Sequence, residues 1–296
     1  MQQLIDEIKK AGAKRVLLQL PEGLKTKAIE IMNELNKNNI ESVLSADPVY
    51  GACDIPVNEA KQLNCDAIVH IGHNRFYRDA EQGFPVIYFP YFIDIELGDI
   101  DFSIIKEERI GLITNIQHMK ILSDVKKQLE SKGKKAVIGG QVLGCWYVNA
   151  EKINDEIDVY LFVGSGKFHP LGINNKKIYN LDLERTAIED ITNEIKKLEK
   201  VRYGRIMKAK DAKSFAILVT SKTGQHMLLS SAEDLKKKIE EKGKKAFILS
   251  MDEITNERLM GIKCDAFINT ACPRIADAHW DKPFVNAQDL EMVLEE

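Results

Sequence analysis

The sequence predicts an α/β protein made of three homologous βαβ-type domains with parallel sheets. The first observation is a repeated order of elements. A short apolar run typical of a buried strand opens each repeat, at Arg15–Leu20, Arg109–Thr114 and Phe215–Thr220. A segment with helical spacing of apolar residues follows each run, at Lys25–Asn36, Met119–Lys132 and Ala232–Lys242. Such alternation is typical of parallel sheets covered by helices.

Repeated short motifs are the second observation. The segments Lys132–Ala136 and Lys242–Ala246 are identical, and their glycines stand where a helix C-cap glycine belongs. The triplet Cys-Asp-Ala precedes the predicted third strand twice, at residues 65–67 and 264–266. We therefore expect domains at residues 1–100, 101–194 and 195–296, with a long helix over Leu183–Val201 joining the second and third domains.

Composition and charge exclude several classes of function. The chain has 296 residues, of which 44% are hydrophobic, and 42 basic residues stand against 45 acidic ones. This balance indicates no nucleic-acid partner. No run approaches ~18 apolar residues, so we expect no membrane span. The N-terminus lacks the apolar run of a signal peptide, and we expect a cytoplasmic protein whose cysteines stay out of disulfides.

Three of the five cysteines are candidate ligands. Cys53, Cys145 and Cys272 each follow a predicted strand, at the sheet edge where α/β folds bind ligands. Cys65 and Cys264 precede their strands at the same repeat position, which predicts small buried packing residues. The sequence thus offers one thiol per domain on equivalent edges.

Metal binding and simple packing both account for these three thiols. They are too far apart in sequence to form a local zinc or ferredoxin motif, and a cysteine in a glycine-rich loop often only fits a tight turn. Three domains that meet in a triangle would bring the thiols together. Three thiolates on an iron–sulfur cluster would leave one iron open to a substrate.

Five motifs spread along the chain carry a family resemblance: Leu20–Leu24, Tyr50–Asp54, Gly139–Cys145, Gly164–Gly172 and Asn269–Ile275. At these residues the sequence resembles the archaeal Dph2 family of diphthamide synthesis. The resemblance implies a pseudo-threefold triangle of homologous domains around a [4Fe-4S] cluster. It also implies that Cys53, Cys145 and Cys272 each bind one iron.

The activity implied by this resemblance is that of an atypical radical S-adenosylmethionine enzyme. Such an enzyme transfers a 3-amino-3-carboxypropyl group to a histidine of translation elongation factor 2, the first step of diphthamide synthesis. The resemblance also implies that S-adenosylmethionine is a substrate, that an external donor supplies the electron and that the protein is a homodimer. The cysteine triplet of ordinary radical S-adenosylmethionine enzymes is absent, as the family pattern expects.

Polar and glycine-rich loops after other strands are candidates for the S-adenosylmethionine pocket. Glycines allow backbone amides to approach a ligand, and Lys167 or His169 could meet a carboxylate or ribose. Solvated glycine turns are the structural alternative. His70 lies within a strand and is expected to be a core residue. The candidate pocket residues are Gly23, Tyr50, Gly51, His73, Ser165, Gly166, Lys167, His169, Ser221 and Gln225.

Two other functions stay open from sequence. A quinolinate synthase-like enzyme would also resemble a three-domain triangle with a three-cysteine cluster, acting by Lewis-acid catalysis. A cluster-carrying subunit could instead support a catalytic partner. Release of methylthioadenosine by the purified protein distinguishes the transferase from both.

Overall fold

The computed structural model describes residues 1–75, 83–222, 224–225 and 229–295. Contacts divide the chain into two units, residues 1–92 with 222–225, and residues 93–221 with 226–296. Three mostly parallel sheets covered by helices confirm the predicted α/β class. The three domain boundaries and their triangular arrangement stay predictions.

The first unit contains one parallel sheet, in the order β2-β1-β3-β4. Its strands are β1 (Arg15–Gln19), β2 (Glu41–Ser45), β3 (Ala67–Ile71) and β4 (Val86–Phe89). Its helices are α1 (Gln2–Lys10), α2 (Ala28–Lys37) and α3 (Val57–Gln62), with a 3₁₀ helix at Glu22–Lys27. Val16 and Leu18 pack on one face of β1 and Leu17 on the other, so both faces of the sheet are buried.

The second unit contains two sheets. In the first of them, the order is β6-β5-β7-β8-β9 and only the β8–β9 pair is antiparallel. The strands are β5 (Arg109–Thr114), β6 (Lys135–Gln141), β7 (Val159–Gly164), β8 (Ile178–Asp182) and β9 (Ala187–Asp190). The helices are α4 (Leu122–Ser131) and α5 (Val148–Lys152), with 3₁₀ helices at Ile116–Ile121, Asn154–Glu156 and Pro170–Gly172.

The other sheet of this unit is parallel, in the order β11-β10-β12-β13. Its strands are β10 (Ser214–Val219), β11 (Lys245–Ser250), β12 (Ala266–Asn269) and β13 (Phe284–Asn286). The helices are α6 (Thr192–Lys210), α7 (Leu229–Glu241), α8 (Asn256–Leu259) and α9 (Leu290–Leu294), with 3₁₀ helices at Pro273–Asp277 and Ala287–Asp289.

The predicted helix over Leu183–Val201 is wrong in its first half. The Asp182 carboxylate accepts hydrogen bonds from the backbone amides of Glu184 and Arg185. Thr186 has a φ of +52°, so the chain turns back. Residues 187–190 then pair with β8 as β9, and α6 begins only at residue 192. Pairing with a neighbouring strand therefore outweighs the local helical pattern.

The repeated triplet has a structural explanation. Cys65 and Cys264 are each 7% exposed, which confirms the prediction that they are buried. The adjacent carboxylates, Asp66 and Asp265, accept hydrogen bonds from two backbone amides at the start of β1 and β10, at 2.8–3.0 Å. In the two sheets that contain it, the triplet thus joins the amino end of the third strand to the amino end of the first strand.

Two further expectations concern helix ends and membranes. Gly133 and Gly243 have φ values of +79° and +72°, which confirms the predicted glycine caps, and Asn39 with φ of +60° takes the same role. Among the residues described above, no helix is both long and apolar enough to cross a membrane. The cytoplasmic location stays a prediction.

Candidate metal centre

The three candidate cysteines follow strands, as predicted. Cys53 lies after β2, Cys145 after β6 and Cys272 after β12, and all three are partly exposed. Within the described part of the chain, no three His, Cys, Asp or Glu side chains are grouped closely enough to hold a metal ion. The role of the three cysteines as ligands of one metal centre therefore stays a prediction. It depends on the type of residue and on the groups that surround each sulfur.

The Cys53 loop is fixed by residues that come much later in the sequence. The Gly224 amide donates to the Cys53 carbonyl at 3.0 Å. A Cβ atom at residue 224 would lie 2.4 Å from Cys53 Cα, so this approach requires glycine. Sequence reasoning missed Gly224, because nothing local to it indicates a distant backbone contact.

Polar groups beside Cys53 favour a thiolate. The Gln225 side-chain amide donates to Cys53 Sγ at 3.3 Å. Lys222 forms an ion pair with Asp54 at 2.7 Å, and both side chains are nearly buried. The Lys222 ammonium also lies 4.9 Å from the centre of the Tyr50 ring. The N–H donor at the sulfur lowers the energy of the ionised form, which is the form that binds iron.

A hydrogen-bond chain runs from the Cys53 loop to His73. Gln19 Nε2 donates to the Asp54 carbonyl at 2.6 Å, so Gln19 Oε1 faces His70 Nδ1, 2.6 Å away. His70 Nδ1 must then carry a proton, and His70 Nε2 must accept one from His73 Nδ1 at 3.0 Å. His73 is thereby held with a lone pair on Nε2.

Burial keeps both histidines of this chain neutral. It lowers the pKa of His70 to about 3, with His73 as a secondary cause, and that of His73 to about 4. His70 is fully buried and hydrogen-bonded at both ring nitrogens, which confirms its predicted place in the core. Gln19 was missed, because its position at the end of β1 gives no sequence signal.

The Cys145 loop is held by Tyr147. The Tyr147 hydroxyl lies 2.7 Å from the Gly144 carbonyl and 3.2 Å from the His169 carbonyl. Burial raises the pKa of Tyr147 and Arg274 opposes this, so the phenol stays neutral. A Cβ at Gly172 would lie 1.9 Å from the Tyr147 oxygen. This network therefore joins the Cys145 loop to the loop after β7.

Arg274 connects that network with the Cys272 loop. It pairs with Asp277 at 2.7 Å, and its guanidinium lies 5.1 Å from the centre of the Phe168 ring. Burial raises the pKa of the Cys272 thiol, while the backbone amides of Arg274 and Ile275 oppose this. The Ile275 amide donates to the Cys272 carbonyl at 3.1 Å, which closes a tight turn behind the thiol.

The other candidate residues follow the carboxyl ends of strands, and Gly23 lies in the 3₁₀ helix at Glu22–Lys27. In the first unit, Gly23 and Tyr50 are exposed and Gly51 is buried. In the second unit, Ser165 and Gly166 are exposed. The structure gives no test of whether they line one pocket, so this stays a prediction.

Three of these candidates already have protein partners. Lys167 Nζ lies 2.8 Å from both Glu189 and Glu194, so two carboxylates balance its charge. Ser221 is hydrogen-bonded to the Asp252 carboxylate. Gln225 contacts Cys53 Sγ, which places it beside a candidate metal ligand.

Comparison with known proteins decides the family. The family model described as "Putative diphthamide synthesis protein" matches residues 20–296. The chain belongs to this family. The 2-(3-amino-3-carboxypropyl)histidine synthase of Pyrococcus horikoshii is 35% identical over 312 residues, covering 99% of this chain and 89% of the relative. Subunit 1 of the Schizosaccharomyces pombe synthase is 29% identical over 295 residues, covering 89% of this chain and 65% of the relative.

Solved structures agree with this assignment. The crystal structure of Dph2 from Pyrococcus horikoshii matches with a TM-score of 0.88 and 35% identity, covering 99% of this chain and 91% of that one. A structure of the same protein with a 4Fe-4S cluster matches with a TM-score of 0.85 and 34% identity, covering 99% and 89%. The expected family, fold class and enzyme class are therefore confirmed.

Proposed function

We propose that this family member is a 2-(3-amino-3-carboxypropyl)histidine synthase that holds a [4Fe-4S] cluster through Cys53, Cys145 and Cys272. The observation that carries the proposal is one partly exposed thiol in a loop after a parallel strand of each sheet, in a family with a cluster-containing solved relative. The N–H donor beside the Cys53 sulfur fits a thiolate ligand.

The proposed reaction has two substrates. When bound, the cluster supplies the electron that splits S-adenosylmethionine into methylthioadenosine and an aminocarboxypropyl radical. The acceptor is imidazole carbon C2 of one histidine of translation elongation factor 2, which gains the carbon–carbon bond and loses its hydrogen as a proton and an electron. We also propose an external electron donor and a homodimer, as the family resemblance implies.

The chain's own residues would bind and orient S-adenosylmethionine. Exposed glycine turns after the first and third strands leave backbone amides available to its carboxylate. His73 Nε2 offers a lone pair to a donor group of the ligand, because Gln19 and His70 fix its tautomer. Two carboxylates already balance the charge of Lys167, which reduces its attraction for a ligand carboxylate.

The test is a single-turnover assay under anaerobic conditions. Reconstituted protein with a full cluster is incubated with S-adenosylmethionine, dithionite and elongation factor 2. The expected result is methylthioadenosine release together with a matching mass gain on one histidine of the factor. A full cluster without that mass gain would contradict the proposal. Methylthioadenosine release would also separate the synthase from a quinolinate synthase-like enzyme. Activity without a second synthase subunit would separate it from a non-catalytic subunit.

Substitution of the cysteines tests the ligand assignment. Cys53→Ala, Cys145→Ala and Cys272→Ala should each lose cluster iron and its absorbance after reconstitution. Cys65→Ala and Cys264→Ala remove buried packing sulfurs and should retain the cluster, so they are matched controls. Equal iron loss in all five variants would refute the assignment.

A further inference from the structure

Lys222, Gly224 and Gln225 pack on the Cys53 loop within the first unit. Two hydrogen bonds reach Cys53 from them, one to its carbonyl oxygen and one to its sulfur. The backbone amide of Gln225 also donates to the Lys222 carbonyl at 3.0 Å, which closes a turn beside the loop. This turn is in direct contact with a candidate cluster ligand.

The backbone places Gln225 beside Cys53. Gly224 lies so close to Cys53 that a Cβ would be 2.4 Å from its Cα and 2.7 Å from its Cβ. The next residue therefore has little freedom relative to the sulfur. Its side-chain nitrogen lies 3.3 Å from Cys53 Sγ, within the range for an N–H donor to sulfur.

The Lys222–Asp54 ion pair does not replace this donor. Lys222 is paired with Asp54 at 2.7 Å, with side chains 13% and 14% exposed, so the pair adds little net charge beside the sulfur. A neutral amide at hydrogen-bond distance then acts on the sulfur directly. Hydrogen bonds to cluster sulfurs stabilise the reduced form, which carries more negative charge, and so raise the reduction potential.

We infer that Gln225 is a positioning residue whose side-chain N–H, donated to Cys53 Sγ, sets how readily the bound cluster accepts an electron. The inference rests on the proposed function, because it requires Cys53 to be a cluster ligand. It gives Gln225 a different role from the S-adenosylmethionine contact predicted from sequence. No bond to the substrate is needed for this role.

The experiment compares wild type with Gln225→Met, which keeps the side-chain volume and removes the donor. Both proteins are reconstituted anaerobically, and iron and sulfide are counted. The cluster is then reduced stepwise with mediators and followed by absorbance and electron paramagnetic resonance. Gln225→Met should hold the wild-type amount of iron with a potential shifted to more negative values. Gln3→Met, at an exposed site on α1, should leave the potential unchanged.

Each outcome decides between the inference and the proposed function. An unchanged potential in a fully loaded Gln225→Met protein would overturn the inference and leave the cysteine assignment standing. Gln225→Asn, which withdraws the amide by one methylene group, should shift the potential in the same direction. Iron loss from both variants would also overturn the inference, since Gln225 would then only hold the loop. A wild-type protein that binds no cluster would overturn the proposed function together with the inference.

Discussion

The buried His70–His73 pair should make stability fall steeply in mild acid. The unfolded chain takes up protons near the ordinary histidine pKa of about 6.5. The folded chain takes them up only near about 3 at His70 and about 4 at His73. Both folded pKa values are depressed, so the stabilisation is present above pH 6.5 and is lost as pH falls towards 4.

The expected loss follows from the proton uptake of the unfolded chain. Between pH 7.5 and pH 5.0, a histidine that stays neutral in the folded state loses about 2 kcal/mol of unfolding free energy. The pair therefore accounts for about 4 kcal/mol, an upper limit because His73 is partly exposed. His70→Asn should remove about 2 kcal/mol of this drop, and His73→Asn up to the same amount.

Urea unfolding at pH 7.5 and pH 5.0 measures the drop for each protein. Reduced, chelator-treated protein is used, so that acid damage to a cluster does not enter the comparison. His279→Asn, at an exposed position, is the matched control and should keep the full wild-type drop. If His70→Asn loses as much stability between the two pH values as wild type, burial does not keep His70 neutral and the reasoning is refuted.

The remaining predictions concern the turn on the Cys53 loop. Gly224→Ala should lower the iron bound after reconstitution, because the new Cβ would overlap Cys53, whereas Gly204→Ala, in α6 with open space around it, should bind wild-type iron. Gly204→Ala should also raise the unfolding free energy by roughly 0.5–1 kcal/mol in denaturant titrations, since alanine favours a helix interior. Lys222→Met should lower it by roughly 2 kcal/mol in the same assay, because the nearly buried Asp54 loses this ion pair, and an unchanged midpoint would contradict this.

Much of the fold could be predicted because its signals are local. The opening strands are short apolar runs, and the helix ends carry glycines with positive φ. The placement of Cys53, Cys145 and Cys272 follows from the rule that parallel strands present their loops at one edge. The first half of the helix predicted over residues 183–201 is wrong, since strand pairing with β8 is not visible in the local pattern.

The surroundings of the cysteines could not be predicted in the same way. Gln225 and Cys53 are 172 residues apart in sequence, and no periodicity links them. Gln19 is an ordinary polar residue at a strand end until His70 and Asp54 are placed beside it. Arg274 follows a candidate ligand, but its contact with Phe168 depends on how two sheets of one unit pack.

The carboxylates that directly precede the third strand of each sheet have a consequence for how the chain could have diversified. Asp66, Asp158 and Asp265 each bind the backbone at the start of a first strand, at the amino ends of the sheets. The opposite ends carry different loops, and Cys272 follows a third strand where Cys53 and Cys145 follow second strands. A duplicated unit can therefore keep its fold through one edge while the other changes its chemistry, so the repeats are not interchangeable in function.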